Sequence, residues 1–403
     1  MSAKSAIETV SLFEVMMEIP LSRRTAQIKP FLAMELMERA KVLQAQGRDV
    51  IYLCLGEPDF PTPAAVVAAA GTALAEKATS YTHSLGLLEL REQICHHYLD
   101  TYGVDLVPEQ IMVSSGTSPL MLLLFSALLE TGDEIVLTDP GYACYPSFVR
   151  FAGGVPVTVP TTAVNGFQPR VKDVKTVLSE RTRGLLINSP ANPTGSILTP
   201  DDLAALAQLS IPIISDEIYH GLTYVGEEQT ILQHTRDAFV LGGFSKAYAM
   251  TGWRLGYLIA PLKIMRQLQT LHQNFLICAN HFVQRAGIVA LRDCSADVAR
   301  MRVVYNQRRL RLIQGLRDLG FGVHVEPQGA FYVLADGRHI DPDSQRLALD
   351  ILEQTGVAVT PGIDFGAGAE GYLRFSYTRP QEDLDQALER IALYLQRRGC
   401  LPT

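Results

Sequence analysis

Short apolar segments alternate with helical segments from residue 111 onward, and this alternation constrains the possible folds more than any other feature of the sequence. A chain that alternates in this way forms a mostly parallel sheet with helices packed on both faces. The segments with strand character are residues 111–113, 134–137, 155–159, 184–187, 211–214, 239–241 and 255–259. We therefore predict an α/β fold with a large domain built around such a sheet.

The chain on either side of this sheet predicts a smaller α+β domain. Before the sheet, the pattern predicts helices at 34–46, 64–77 and 87–102 and a buried strand at 50–55. After it, helices dominate to about residue 319, and short strands follow near 323 and at 331–334, 357–359 and 372–377. The predicted division is an N-terminal arm (1–30), a first part of the small domain (31–55), the large domain (56–290) and the C-terminal small domain (291–403).

Composition and charge exclude several classes of protein. The 403 residues carry a formal charge of −7, so the chain offers no basic face for nucleic acid. No apolar run reaches the roughly 18 residues that cross a bilayer, and residues 1–17 lack the basic-then-apolar order of a signal peptide. The six cysteines contain no Cys-x-x-Cys pair, which argues against zinc and against a disulfide framework. We expect a cytoplasmic protein with no metal and no membrane or nucleic-acid partner.

The segment from Phe244 to Tyr257 carries the most specific chemistry. Lys246 and, eight residues later, Arg254 lie among small and apolar residues, and the segment contains no carboxylate. Desolvation lowers the pKa of a buried lysine, and the free amine then forms a Schiff base with an aldehyde such as that of pyridoxal 5′-phosphate (PLP). The planar guanidinium of Arg254 suits a phosphate. An isolated Ser-Lys pair, by contrast, is more commonly a surface feature.

Further polar residues follow the predicted strands, and the carboxyl ends of parallel strands meet at one edge of a sheet. Asp216 can keep a pyridine nitrogen protonated, or it can cap a helix. Tyr219 is one helical turn further on, and alone it is more commonly a core aromatic residue. The backbone N–H groups of Gly116 and Thr117 can bind an anion at a helix N-terminus, or form an ordinary cap. Arg374, on a predicted strand, can bind a carboxylate or lie at the surface.

As an ordered set, these motifs resemble those of the class I/II, fold-type I PLP-dependent aminotransferases. The motifs are Asn192-Pro-Thr-Gly195, Asp216-Glu-Ile-Tyr219, Ser245-Lys246 and Arg254, and the resemblance extends from about residue 28 to residue 397. It implies PLP as the cofactor and a homodimer with shared active sites. The implied cofactor-binding residues are Gly116, Thr117, Tyr142, Asn192, Asp216, Tyr219, Ser245, Lys246 and Arg254. The resemblance also implies that Tyr81 of each subunit contacts the cofactor phosphate bound by the other subunit.

The resemblance also assigns roles. Lys246 anchors the cofactor and moves a proton, Asp216 pairs with the ring nitrogen, Tyr219 contacts the phenolic oxygen and Tyr142 stacks on the ring. The implied substrate-binding residues are Gly56, Asn192 and Arg374, with Arg374 holding the α-carboxylate. The predicted activity is transamination between an L-amino acid and a 2-oxo acid.

Two positions depart from the family pattern. Gly243 occupies a position where some branches have a phosphate-binding serine, which leaves Ser245 as the nearby hydroxyl. Thr117 occupies a position where some relatives that act on acidic substrates have a lysine. The second departure favours a neutral donor over aspartate, although Arg23, Arg24 and His83 remain candidates for the pocket.

Four alternatives differ from transamination with a neutral donor. Related branches run β-elimination of sulfur amino acids in the same pocket, and a donor preference for aspartate stays open. A ligand-sensing regulator would need a DNA-binding module and a basic face, which this chain lacks. The Gly-x-Gly-x-x-Gly pattern at 366–371 precedes a predicted strand rather than a helix, so we reject a dinucleotide site.

Overall fold

A computed structural model describes residues 20–401 of the chain. Residues 1–19, and with them most of the predicted N-terminal arm, lie outside the described residues. Residues 20–30 form no α-helix or strand, and they contain one 3-10 turn, Thr25–Gln27.

The described residues form α-helices and strands that alternate as predicted along the central part of the chain. The helices are α1 (Leu32–Ala45), α2 (Ala64–Ala75), α3 (Leu88–Tyr102), α4 (Thr117–Leu128), α5 (Tyr145–Phe151), α6 (Val171–Lys175), α7 (Pro200–Leu206), α8 (Leu262–Phe275), α9 (His281–Asp293), α10 (Ser295–Asp318), α11 (Ser344–Thr355) and α12 (Gln381–Arg397). The strands are β1 (Ile51–Tyr52), β2 (Ile111–Ser114), β3 (Glu134–Asp139), β4 (Val155–Pro160), β5 (Thr182–Asn188), β6 (Ile213–Asp216), β7 (Ala238–Gly243), β8 (Gly256–Ile259), β9 (Tyr332–Asp336), β10 (Val357–Ala358), β11 (Thr360–Pro361) and β12 (Tyr372–Ser376).

Seven strands form one sheet in the order β2-β8-β7-β6-β5-β3-β4. Neighbours from β4 to β7 pair in parallel, whereas β8 runs antiparallel to both β7 and β2. Each crossover connection brings the chain back to the amino edge of the sheet, so successive parallel strands run in the same direction. The residues that follow β5, β6 and β7 therefore all lie at the carboxyl edge.

Apolar side chains on alternate residues pack the sheet on both faces. On β5, Leu185 and Ile187 belong to a core that includes residues of α3 and α9, while Leu186 belongs to a core that includes residues of α4 and α8. The predicted α/β class, with helices on both faces of a mostly parallel sheet, is confirmed.

The N-terminal and C-terminal parts of the chain share a separate core. Strand β1 pairs in parallel with β10, with Ile51 opposite Val357, and β12 lies between β11 and β9. Residues of α1, α10, α11 and α12 pack together in this core. The exact boundaries between the two units remain a prediction.

Several predicted boundaries were wrong. The strand predicted at 50–55 pairs only over β1, because the Leu53 N–H donates to Ala358 and the Leu53 carbonyl accepts from Ser376, so the chain crosses between two sheets. The strand predicted near 323 is a single bridge between Gly322 and Asp336. The strand predicted at 357–359 divides into β10 and β11. A 3-10 turn, Ala367–Ala369, interrupts the Gly366–Gly371 segment, and β12 follows it as predicted.

Candidate active site

A cavity of about 370 Å³ lies at the carboxyl edge of the large sheet, where α1, β9 and β12 of the smaller unit meet it. Nearly all of the predicted site residues line this cavity. They are Gly56, Thr117, Tyr142, Asn192, Asp216, Tyr219, Ser245, Lys246, Arg254 and Arg374.

Lys246 lies just beyond the end of β7 and is half-buried in this open cavity. Its Nζ donates a 2.7 Å hydrogen bond to the carbonyl of Gly56 and lies 5.9 Å from the ring centroid of Tyr219. Burial lowers the pKa of Lys246 to about 8, although the carboxylate of Glu57 acts in the opposite direction. Part of the lysine population is therefore a free, nucleophilic amine near neutral pH.

Asp216 ends strand β6 and is buried. The Tyr145 hydroxyl donates a 2.7 Å hydrogen bond to Oδ2 of Asp216, and the Ile218 N–H donates to Oδ1 at 3.2 Å. Burial raises the pKa of Asp216 to about 6, despite both hydrogen bonds. The helix-cap alternative does not hold, because no helix begins at Asp216.

Asn192 is held in place by a second asparagine. Nδ2 of Asn188 donates to the Asp216 carbonyl at 2.8 Å, and Oδ1 of Asn188 accepts from the Asn192 N–H at 2.8 Å. This bridge ties the loop after β5 to the end of β6.

The start of α4 and Arg254 bring hydrogen-bond donors together at one corner of the cavity. Gly116 precedes α4 with φ of 100°, and a Cβ there would lie 2.7 Å from Nη2 of Arg254. Gly116 has no side chain to cap the helix, so N–H groups of the first turn stay available to an anion. Arg254 is exposed, with φ of 56°, and its Nη1 donates to the carbonyl of Thr251 at 2.9 Å. The sequence predicted apolar surroundings, but in the folded chain Arg254 faces the open cavity.

Arg374 is buried and has no carboxylate partner in the part of the chain that the structure describes. Its side chain on β12 donates to Oδ1 of Asn192 at 2.8 Å, to the Cys54 carbonyl at 2.6 Å and to Oγ1 of Thr360 at 3.1 Å. Among the described residues, no protein group accepts a hydrogen bond from its Nε. The surface alternative for Arg374 is therefore wrong, since only 2% of the residue is exposed.

Tyr219 and Tyr332 form one wall of the cavity. Their hydroxyl oxygens are 2.8 Å apart, and the ring of Tyr332 stacks at 4.3 Å from the guanidinium carbon of Arg374. A Cβ at Gly56 would collide with the Tyr332 hydroxyl, which explains why glycine occupies this position in the wall.

Five candidate residues are not among those that line the cavity: Gly116, which lies beside the lining residues Thr117 and Arg254, and four residues that lie at the surface. Tyr81 is 78% exposed, and Arg23, Arg24 and His83 are also exposed. None of the four lines the cavity.

Sequence reasoning also missed residues that reach the cavity. Glu57 directly follows the predicted site residue Gly56, which could have suggested it, whereas the sequence around Tyr332 contains no signal of a site. Tyr145 also lines the cavity, and its position one turn after Tyr142 could have suggested a contact with the strand ends. Within residues 20–401 no cluster of three or more potential metal ligands was found, and none of the helices described there is long and apolar enough to cross a membrane.

Known proteins resemble this chain over nearly its full length. Residues 48–391 match the family model for aminotransferase class I and II. The aspartate/prephenate aminotransferase of Thermus thermophilus is 39% identical over 388 residues, which cover 94% of this chain and 99% of that protein. The valine–pyruvate aminotransferase of Mycobacterium tuberculosis is 36% identical over 378 residues, which cover 92% of this chain and 97% of that protein. A solved structure of the Thermus thermophilus aspartate aminotransferase with maleate superimposes with a TM-score of 0.89 at 39% identity, and covers 93% of this chain and 100% of that one.

Proposed function

This chain belongs to the class I and II aminotransferase family of fold type I, and from that premise we propose that its cavity binds PLP through Lys246 and accepts a neutral amino acid as donor. The reaction is transamination between an amino acid and a 2-oxo acid. The observation that carries the proposal is that Lys246, whose pKa is lowered, and Arg374, which is buried and has no carboxylate partner within residues 20–401, line one cavity.

The residues of the cavity fit the parts of this cofactor. The first turn of α4 and Arg254 offer donors for the phosphate, and Asp216 offers a buried carboxylate for the ring nitrogen. Tyr142 is the aromatic side chain available for the ring face, and Tyr219 and Asn192 offer donors for the phenolic oxygen. When bound, PLP supplies an aldehyde and a ring that withdraws electrons from the substrate.

The chain's own residues perform the remaining tasks. Lys246 would hold the cofactor through its amine, and when that amine is free it is the group placed to take a proton from the substrate's Cα and to hold it. Arg374 fixes the substrate by binding the substrate's α-carboxylate. The planar guanidinium can form two parallel hydrogen bonds to a carboxylate, and no ion pair within residues 20–401 has to break first. The Tyr145 hydroxyl keeps Asp216 oriented toward the ring nitrogen.

The cations that line the cavity in residues 20–401 are Lys246, Arg254 and Arg374, and each already has a task. A second substrate carboxylate would therefore be buried without a partner, at a cost of several kcal/mol. Apolar side chains line much of the remaining wall: Phe31, Met34, Leu55, Met121 and Ile218. These groups support a neutral, apolar donor rather than aspartate.

The assembly we propose is a homodimer in which Tyr81 reaches the partner's cofactor phosphate. Tyr81, Phe275 and Ile277 are exposed by 78%, 70% and 47%. Their segments lie side by side, because the Thr82 N–H contacts Sγ of Cys278 at 3.4 Å. Such an apolar patch is typical of a protein–protein contact. A cytoplasmic location fits the six cysteines, which are all free thiols.

The donor proposal is tested by comparing kcat/KM for alanine, leucine, phenylalanine and aspartate, with 2-oxoglutarate and then pyruvate as acceptor. We expect an apolar donor to exceed aspartate. If aspartate wins by tenfold or more, ~1.4 kcal/mol of transition-state preference, the neutral-donor proposal fails. Release of pyruvate and thiol from a sulfur amino acid without an acceptor would instead indicate β-elimination.

A further inference from the structure

A single 3-10 turn of the small unit, Gly362–Phe365, contacts the first turn of α1. Oδ1 of Asp364 accepts from the Leu32 N–H at 3.0 Å, and Oδ2 accepts from the Ala33 N–H at 3.1 Å. Phe31, the residue before the helix, provides no side-chain cap. The two leading N–H groups of α1 therefore depend on a carboxylate that lies more than 300 positions away in the sequence.

The same turn supports two further parts of the cavity wall. The Phe365 ring lies 4.8 Å from the guanidinium carbon of Arg374. The Phe365 carbonyl accepts a 2.9 Å hydrogen bond from the N–H of Gly141, which precedes Tyr142. The position of this turn thus fixes the carboxylate-binding arginine, the Tyr142 loop and the start of α1 relative to one another.

The start of α1 supplies an apolar wall to the cavity. Phe31, Ala33 and Met34 line it, and the Phe31 ring packs edge-on against Tyr142 with centroids 6.1 Å apart. Met34 is 42% exposed, whereas Ala33 and Leu36 are buried, so core packing holds one face of this end of the helix and leaves the Met34 face without such support. The hydrogen bonds to Asp364 are the specific restraint at the point where the wall begins.

Asp364 accepts the two hydrogen bonds from α1 without forming an ion pair to a described lysine, arginine or histidine. It forms no ion pair within residues 20–401, and burial raises its pKa while the two backbone N–H groups act in the opposite direction. A carboxylate at the N-terminus of a helix of this length interacts favourably with the helix dipole.

We propose that Asp364 is a positioning residue for donor specificity, which holds the Phe31–Met34 wall at the distance that suits an apolar donor side chain. The proposal rests on the proposed function, because it assumes that the donor side chain faces this wall. Loss of the carboxylate releases the wall but leaves Lys246 and Asp216 in place. The effect of the loss therefore grows with the size of the donor side chain.

The test compares Asp364→Ala with Thr199→Ala in the holoenzyme. Thr199 is a matched control, since its hydroxyl caps α7 by accepting from the Asp202 N–H at 3.1 Å and lines no part of the cavity. We expect Asp364→Ala to raise KM for leucine about tenfold, ~1.4 kcal/mol, to change KM for alanine less than about twofold, and to leave cofactor content and visible absorbance unchanged. Asp364→Asn, which keeps one acceptor oxygen, is expected to fall between the two.

A double-substitution cycle separates positioning from general destabilisation. In a Phe31→Ala background the wall is already lost, so adding Asp364→Ala is expected to cost no further leucine selectivity. Equal losses for leucine and alanine, or a pattern identical to that of Thr199→Ala, would overturn the role of Asp364. A wild-type enzyme that prefers aspartate would overturn the donor proposal instead, so the two failures are distinguishable.

Discussion

The Tyr145 hydroxyl donates a 2.7 Å hydrogen bond to the carboxylate of Asp216, which is buried and forms no ion pair with the other residues that the structure describes. Desolvation raises the pKa of Asp216 from 3.8 to about 6, so ionising it costs free energy in the folded chain. Above that pH the cavity still holds a buried negative charge, which suits a ligand that brings a positive charge to it.

Asp216→Asn is expected to leave PLP bound and to lower turnover severely, because the ring nitrogen loses its charged partner. Without cofactor, the same variant is expected to be more stable than the wild type at pH 7, by on the order of 3 kcal/mol at most. The sign follows from the raised pKa: between about pH 4 and 6 the folded state keeps a proton that the unfolded state has lost, so wild-type stability falls as pH rises.

Urea unfolding of the cofactor-free wild type and of cofactor-free Asp216→Asn, at pH 4 and pH 7, measures the difference between their free energies of unfolding. This difference should vanish near pH 4. Near-normal turnover of Asp216→Asn would show that the carboxylate plays no part in the reaction.

Arg374→Ala is expected to raise KM for every amino acid and every 2-oxo acid by a similar factor, roughly 10- to 100-fold. The reason is that the α-carboxylate is common to all of these substrates, whereas the side chain differs. Steady-state kinetics with alanine, leucine and phenylalanine check the uniformity. An effect confined to one donor would place Arg374 in the side-chain pocket.

The site residues that could be identified from sequence belong to local motifs at strand ends. Asp216 and Lys246 follow β6 and β7, and the geometry of a parallel sheet brings such residues to one edge whatever the rest of the chain does. Glu57, Tyr332 and Asp364 were missed because each contacts residues more than 100 positions away in the sequence, and no local pattern records such contacts.

The predicted strand boundaries also fail where a strand depends on a distant partner. The central strands were predicted to within about two residues at each end, since short continuous apolar runs between polar turns indicate strands that are buried on both faces. The segment at 50–55 was predicted too long, because a strand ends where its partner ends, and β10 pairs only with Ile51 and Tyr52.

Tyr81 is expected to act across the dimer interface. Tyr81→Phe and Lys246→Ala chains should each be defective alone, and mixed dimers should regain one site in which both residues are intact. The measurement is activity after mixing and re-forming dimers, with each variant mixed with itself as control. An active enzyme that sediments strictly as a monomer would contradict this arrangement.

The pH dependence of Lys246 acetylation is expected to reflect the lowered pKa of this amine. In the cofactor-free chain, acetylation of Lys246 by trace acetic anhydride should rise about tenfold per pH unit up to about pH 8 and then level off, because only the unprotonated amine reacts. A model lysine peptide, with an ordinary pKa of 10.5, should continue to rise above pH 9. A Lys246 profile that matches the peptide would contradict the desolvation argument.

The central claim is that Lys246 anchors PLP in this cavity, and mapping the covalent link tests it most directly. The holoenzyme is reduced with borohydride and digested, and the peptide that carries the cofactor mass is sequenced by mass spectrometry. Lys263→Ala, which removes an exposed lysine paired with Asp237, serves as the control. We predict that the mass maps to Lys246 in the wild type and in the control, and that it is absent from Lys246→Ala together with turnover. A reducible link that persists in Lys246→Ala, or that maps to another lysine in the wild type, would contradict the account.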